Sequence, residues 1–261
     1  MRALRVALLH LRVSVMNELQ YRANFFIQLI QSLISVATGL IVLALIFDRT
    51  PDLNGWTRPQ LLVVLGIYSI VGGFFGFGLE PAVVRIMGDV REGTFDYVLT
   101  KPVDSQVLAS VRAFRVWRLT DVVVGIAVAT WGLVALPNPP SLTELAGGVV
   151  MLMAGFVALY CLGLIIVTGA FWYTNMDMVQ DLFTGMYRAG QYPTGVYPRW
   201  LRLVLTFLVP IGLAVTTPSQ SLTGQLTWQR LVALLGFVTA LVVVTRLIWK
   251  LGTKRYSGAS A

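Results

Sequence analysis

The sequence has few charged residues, a single cysteine and a single histidine. Charged residues make up 12% of its 261 residues, whereas apolar residues make up 56%. A soluble domain carries about 25% charged residues. A surface with so few ionisable groups would leave too much apolar area in water, so most of the outside of this chain should face lipid. The composition therefore predicts an integral membrane protein.

The scarcity of cysteine and histidine excludes several kinds of chemistry. Cys161 has no second cysteine to pair with, so no disulfide can form within the chain. His10 is the only histidine, which excludes a histidine-cluster metal site and a catalytic mechanism that needs histidine in the bilayer. Each of the three lysines follows a threonine or a tryptophan and not a glycine, so the chain has no nucleotide-binding loop. We therefore predict that the chain is not an enzyme.

Long apolar runs are what the sequence has instead. At about 1.5 Å per residue, a helix needs about 20 apolar residues to cross a hydrocarbon core of about 30 Å. Clear runs lie at about 23–47, 60–79, 119–136, 145–172 and 231–249. With a fifth span between the last two, the pattern predicts an all-α polytopic membrane protein of six transmembrane helices, a single domain over residues 1–261. Before the first run, arginines alternate with apolar residues three and four apart over residues 1–22, which predicts an amphipathic helix in the headgroup region.

The basic residues indicate an orientation. Of the 20 lysines and arginines, 14 lie before the first run, within residues 80–118, or at the end of the chain. Because basic loops stay on the cytoplasmic side, we expect both termini and the long middle loop to be cytoplasmic. This arrangement explains the formal charge of +8 without a nucleic-acid partner.

Polar residues within the first run form one helical stripe. Asn24, Gln28, Gln31 and Ser35 are three or four residues apart, so they share a face that should contact protein or water. Packing between helices and the lining of a substrate path both explain such a stripe. In the second run, the spacing Gly72-x-x-x-Gly76 would let another helix approach closely.

The region between the fourth and last runs has two interpretations. Hydropathy places the fifth span at about Trp200–Val215, which leaves Asp177, Asp181 and Arg188 on one face of a cytoplasmic or interfacial helix. If these charges instead lie within a span, an alternative function is an ion-coupled secondary transporter or channel that acts without an ATPase.

The middle loop resembles a known segment. Residues Asp89–Val103, DVREGTFDYVLTKPV, resemble the stretch that follows the second span in type-2 ABC exporter permeases. In that family the segment is a coupling helix that docks on a separate ATP-binding subunit. The resemblance implies that this helix presents an apolar ridge to the ATP-binding subunit and that charged residues fix the register of the contact. Gly93 and Thr94 would begin the helix and Pro102 would end it. The docking residues that it implies are Arg91, Glu92, Gly93, Thr94, Phe95, Asp96, Val98, Leu99 and Pro102, with the ridge at Phe95, Val98 and Leu99.

A second resemblance covers Tyr192–Thr217. Its YPTGVYPRWL stretch is similar to one that precedes the last span of type-2 permeases, where a re-entrant pair of helices lies on the outer side. By this resemblance the re-entrant segment covers residues 193–217 and the fifth span is about Asp177–Tyr192. We favour this interpretation over the hydropathy one.

The two resemblances together imply a function. They imply the membrane subunit of a bacterial inner-membrane exporter, paired with a second permease that is identical or a sister chain. Two copies of an ATP-binding subunit would carry ATP and Mg, and this chain would bind no cofactor directly. The substrate class would be a hydrophobic or amphipathic compound, a lipid or a glycan. Residues expected at the pathway or at the dimer interface are Gln28, Gln31, Ser35, Asp177, Asp181 and Arg188.

Overall fold

A computed structural model describes residues 2–19, 22–172, 185 and 187–256, and this part of the chain is helical and has no β-strand. Its helices are α1 (Arg2–Leu19), α2 (Arg22–Phe47), α3 (Arg58–Arg91), α4 (Asp96–Leu99), α5 (Ser105–Ser110), α6 (Val116–Val134), α7 (Leu142–Phe171), α8 (Arg199–Leu208), α9 (Gly212–Leu222) and α10 (Trp228–Arg255). Five of these, α2, α3, α6, α7 and α10, are long and apolar enough to cross a membrane, and the bent pair α8–α9 would make a sixth span if it crossed.

The loops define two ends of the helix bundle. We call the end that holds loops 48–57 and 135–141 the short-loop end, and the end that holds loop 92–115 the long-loop end. Two helices at the short-loop end begin with capping boxes, a Thr or Ser followed three residues later by Gln or Glu, which is a spacing that the sequence itself shows. The Thr57 N–H donates to Gln60 Oε1 at 2.9 Å, and the Ser141 N–H donates to Glu144 Oε2 at 2.7 Å.

The closest helix packing joins α3 to α6 and depends on glycines. Gly66 and Gly73 on α3 lie against α6, and Gly125 and Gly132 on α6 lie against α3; the two glycines on each helix are two turns apart. A Cβ atom at Gly66 would lie 2.3 Å from the backbone nitrogen of Ala129. The two backbones therefore touch, as small residues allow in membrane helices. At the predicted Gly72-x-x-x-Gly76 pair the close approach is by side chains and not by backbone, because these positions face the side chains of Tyr187 and of Arg118 on α6.

The second span is longer than hydropathy predicted. The helix does not end near Leu79 but continues for twelve more residues to Arg91, after a π-helical turn at Phe75–Leu79. Pro81 lies at the start of this extension and has no N–H to donate to the preceding turn. The carbonyl of Phe77 in that turn instead accepts a hydrogen bond from the Arg115 N–H at 2.9 Å. The long loop thus satisfies a carbonyl that proline leaves open.

The bent pair α8–α9 enters and leaves the bundle at the same end. Its two arms meet at 84°. Just before α8, the Gly195 carbonyl accepts from Asn54 Nδ2 at 2.7 Å, and at the end of α9 Ser221 Oγ donates to the Glu144 carbonyl at 3.2 Å. Both partners lie at the short-loop end, which favours the re-entrant interpretation of residues 193–217 over a fifth span at Trp200–Val215. The second arm packs against α7, where Gly155 touches Ala214.

The described residues before α8 run along α3 toward the short-loop end. Tyr187 Oη donates to the Tyr68 carbonyl at 3.0 Å, and residues 191–192 lie beside Leu61 and Leu65, nearer the start of α3. This direction is the one that a fifth span needs. Of the predicted span Asp177–Tyr192, residues 177–184 and 186 lie outside the described residues.

Alanine substitutions on α3 should separate close packing from helix propensity. Gly66→Ala should lower the melting temperature, because its Cβ atom meets backbone that cannot move aside. Gly88→Ala meets nothing within 4 Å and should raise stability by about 0.5–1 kcal/mol through helix propensity. Thermal unfolding of the purified variants in nanodiscs measures both. Equal changes for the two variants would contradict the α3–α6 contact.

Candidate functional site

An open cavity of about 370 Å³ lies between α2, α3 and α6. Its volume falls within the range of about 300–1,000 Å³ that is usual for small-molecule sites. Polar groups are unusual at this depth of a membrane bundle and mark functional sites there. The polar side chains on its wall are Gln28, Gln31, Ser32, Ser35, Tyr68, Ser69, Glu80, Arg118, Asp121 and Tyr187.

The charged side chains of the wall are paired. Arg118 Nη1 lies 3.5 Å from Asp121 Oδ2, which also accepts from Gln28 Nε2 at 3.4 Å. Glu80 Oε1 pairs with Arg115 Nη1 at 2.9 Å. These pairs neutralise one another near the long-loop end, so the cavity presents amides and hydroxyls without an uncompensated charge.

The polar stripe predicted on the first span lies on this cavity, apart from Asn24, which is exposed and outside the wall. Gln31 and Ser35 are also exposed, at the open edge of the cavity. Within the described part of the chain, neither of these two side chains has a hydrogen-bond partner. An unsatisfied amide in hydrocarbon is costly, so water, a ligand or another chain has to meet this edge.

A stack of aromatic rings forms one side of the cavity. The Tyr187 ring lies between Tyr68, at a centroid distance of 5.0 Å, and Phe75, at 5.7 Å. Gly72 makes room for it, since a Cβ atom there would lie 3.1 Å from the Tyr187 hydroxyl. No periodic pattern in the sequence marks Tyr187, because its ring partners Tyr68 and Phe75 lie more than 100 positions earlier in the chain.

Only Arg188 of the predicted charged face Asp177, Asp181 and Arg188 is among the described residues. Arg188 is exposed and is not on the cavity wall. Asp177 and Asp181 lie outside the described residues, so their shared face with Arg188 stays a prediction.

The turn after α3 ends that helix and does not open the next one. Gly93 has a φ of 70°, the left-handed conformation that glycine adopts readily. The Thr94 N–H donates to the Asp89 carbonyl at 2.8 Å and the Gly93 N–H to the Val90 carbonyl at 3.3 Å, which is the Schellman pattern. The Thr94 hydroxyl also donates to the Asp89 carbonyl at 3.4 Å and not to the first turn of α4, so the prediction that Thr94 caps α4 is wrong.

The apolar ridge predicted on the middle loop faces inward. Phe95 is 0% exposed and Val98 is 2% exposed, because both pack against α3, α7 and α10. The prediction that they project toward a partner is therefore wrong. Tyr97, which the sequence analysis did not select, is 71% exposed and Leu99 is 38% exposed. Of the other predicted docking residues, Arg91, Glu92 and Pro102 are exposed, and Gly93, Thr94 and Asp96 are half-buried.

A family model of the ABC-2 family transporter proteins matches residues 33–260. The chain belongs to the ABC-2 transporter family. The comparisons with curated proteins and with solved structures gave no significant match. Membership makes the chain a multi-pass membrane transport subunit that works with an ATP-binding subunit. Members of this family are generally not catalytic themselves.

The rest of the long loop of this ABC-2 permease is anchored to its last helix. Arg246 on α10 forms a two-point ion pair with Asp104, and its Nη1 also donates to Gln106 Oε1 at 2.7 Å. The guanidinium of Arg246 holds the pKa of the Asp104 carboxyl below its ordinary value of 3.8. Asp104 also accepts from the N–H groups of Gln106 and Val107 and so begins α5.

Where the long loop ends, α1 of the ABC-2 permease contacts the start of α6. Both carboxylate oxygens of Glu18 accept from the Val116 N–H, at 2.9 and 2.7 Å. Burial raises the pKa of Glu18, and the backbone N–H donors of Val116 and Trp117 act against this rise. The amphipathic helix predicted from the sequence is therefore tied to the start of the third span.

Breaking the Arg246–Asp104 pair should give a pH-dependent loss of stability. Because the pKa of Asp104 is lower in the folded state than its ordinary value of 3.8, the pair stabilises the fold at pH values above 3.8. This stabilisation is lost as the pH falls through the folded-state pKa of Asp104. Arg246→Gln should thus destabilise the permease at pH 7 by about 1 kcal/mol or less, since the pair is partly exposed. The difference should shrink at pH 3. Melting temperatures at the two pH values test this, and a difference that grows in acid would contradict it.

Proposed function

We propose that the chain is the transmembrane subunit of an ATP-driven exporter and that its polar cavity is part of the translocation path. The observation that carries this proposal is a cavity of about 370 Å³ lined by amides and hydroxyls at membrane depth in a chain of the ABC-2 family. Burying hydrogen-bonding side chains inside a membrane bundle costs free energy. In a transporter, such side chains line the path of a polar substrate.

The cavity wall favours an amphipathic substrate with a neutral polar part. The free hydrogen-bonding groups are amides and hydroxyls, while the charged groups already pair with each other. The neighbouring face of α2 is apolar and exposed, at Phe26, Ile27, Ile30 and Ile34. A lipid or a glycan-bearing lipid could place its polar part in the cavity and its chains along this face.

A second permease subunit, identical or a sister chain, would complete the path. Gln31 and Ser35 are exposed at the open edge of the cavity, where lipid tails could not satisfy them. Polar side chains at such positions are typical of helix contacts within membranes. The pairing of two permeases would enclose this edge, with two ATP-binding subunits below them in the cytoplasm of a bacterial cell.

The ATP-binding subunit would dock on the outward side of the middle segment. We define the docking face as Arg91, Glu92, Tyr97, Leu99 and Pro102, which are all exposed. Tyr97 takes the place of the buried Phe95 as the aromatic anchor, a residue type enriched in the energetic centres of interfaces. The charges of Arg91 and Glu92 would set the register of the contact.

A charge at Tyr97 should prevent docking. Tyr97→Asp should reduce co-purification of the ATP-binding subunit at least tenfold, because an unpaired carboxylate would be buried in the interface. Tyr97→Phe is the matched control and should retain it. Both variants should fold, since the side chain is exposed. Normal co-purification of Tyr97→Asp would contradict the docking face.

Removing polar groups from the cavity edge should impair transport. Gln31→Leu combined with Ser35→Ala should lower the ATP-dependent movement of a fluorescent phospholipid analogue in proteoliposomes by about tenfold, equal to about 1.4 kcal/mol. Asn24→Leu, on the same helix but outside the wall, should leave transport unchanged. Transport by the permease alone under an ion gradient would instead support a secondary transporter.

A further inference from the structure

We propose that Trp249 is a positioning residue that ties the docking face to the fourth and last spans, through a cluster of four aromatic rings. This ring cluster consists of Phe95 beside α4, Phe171 at the end of α7, and Trp249 and Tyr256 at the end of α10. The inference rests on the proposed function, because it assumes that an ATP-binding subunit moves the docking face.

The rings of the cluster contact one another edge to face. The Phe95 centroid lies 5.3 Å from Phe171, 6.1 Å from Trp249 and 5.7 Å from Tyr256. Phe171 in turn lies 5.9 Å from Trp249 and 5.7 Å from Tyr256. These distances and the interplanar angles of 65–78° fit the favoured geometry of aromatic pairs. Phe95 is therefore held from two spans at once.

Trp249 also makes a polar contact with the long loop. Its Nε1 donates to Ser105 Oγ at 3.2 Å, at the start of α5. Its side chain is 1% exposed, and Arg246, one turn earlier on α10, holds Asp104 beside that serine. Trp249 thus joins both helices of the long loop, α4 and α5, to the last span.

Side-chain packing gives a displacement a second route besides the chain connection to α3. The chain connection turns at Gly93, and α4 itself has only four residues. Inward of Tyr97 and Leu99, Phe95 and Val98 are packed into one core with α3, α7 and α10. Close-packed side chains move together with their neighbours. A push on the docking face should therefore move the ends of α7 and α10.

The direct test measures coupling and not assembly. The permease and its ATP-binding subunit are co-purified and reconstituted, and phospholipid-analogue transport is measured per ATP hydrolysed. Trp249→Ala should leave co-purification and ATPase rate near wild type and lower transport per ATP at least fivefold. Trp249→Phe, which restores a ring, should recover most of the loss. Phe237→Ala is the matched control, since it removes an edge-to-face ring of α10 that contacts Phe207 and not the long loop.

A second measurement uses the permease alone in nanodiscs. Spin labels attached through Tyr97→Cys and Lys250→Cys, in a Cys161→Ala background, report the distance between α4 and α10. Trp249→Ala should broaden this distance distribution, and Trp249→Phe should keep it narrow. An unchanged distribution together with wild-type transport per ATP in Trp249→Ala would overturn the inference. If the wild-type chain bound no ATP-binding subunit, the proposed function would fail instead, whatever the spin labels showed.

Discussion

The contact between α3 and α6 is the constraint on which the arrangement of the site depends. Because Gly66 and Gly125 have no side chains, the two backbones touch, and neither helix can slide along the other without a clash. This registry brings Arg118 and Asp121, at the start of α6, to the level of Gly73 and Gly76 on α3. The charged end of the cavity is therefore positioned by the contact between Gly66 and Gly125, which lie outside the cavity wall themselves.

The cavity and the middle segment belong to differently packed parts of the bundle. Around the cavity, α2 is mostly exposed and leaves Gln31 and Ser35 without partners among the described residues. At the long-loop end, Phe95, Val98 and Trp249 are nearly completely buried in one core. A loosely held wall can open for a substrate, while a close-packed core can transmit a displacement without deforming. This contrast suits a transporter whose path and drive lie in separate parts of the chain.

Several features followed from the sequence because each has a local cause. Both capping boxes and the polar stripe on the first span depend on residues three and four apart. The second span was predicted too short, since Glu80 and Pro81 end an apolar run but not the helix that carries it. Hydropathy places a span at Trp200–Val215, because it registers apolar residues and not whether a neighbouring helix or lipid covers them.

The sequence by itself determined that the chain is an all-α membrane protein, about where its long apolar helices begin, and which loop resembles the docking segment of type-2 permeases. Only the tertiary structure decided which side of that motif is exposed, because Phe95 and Tyr97 differ in burial through contacts with Trp249, about 150 residues away. It also decided that Gln28 meets Asp121 across 93 residues. Helical periodicity tells which residues share a face, but only the packing of distant helices determines what that face contacts.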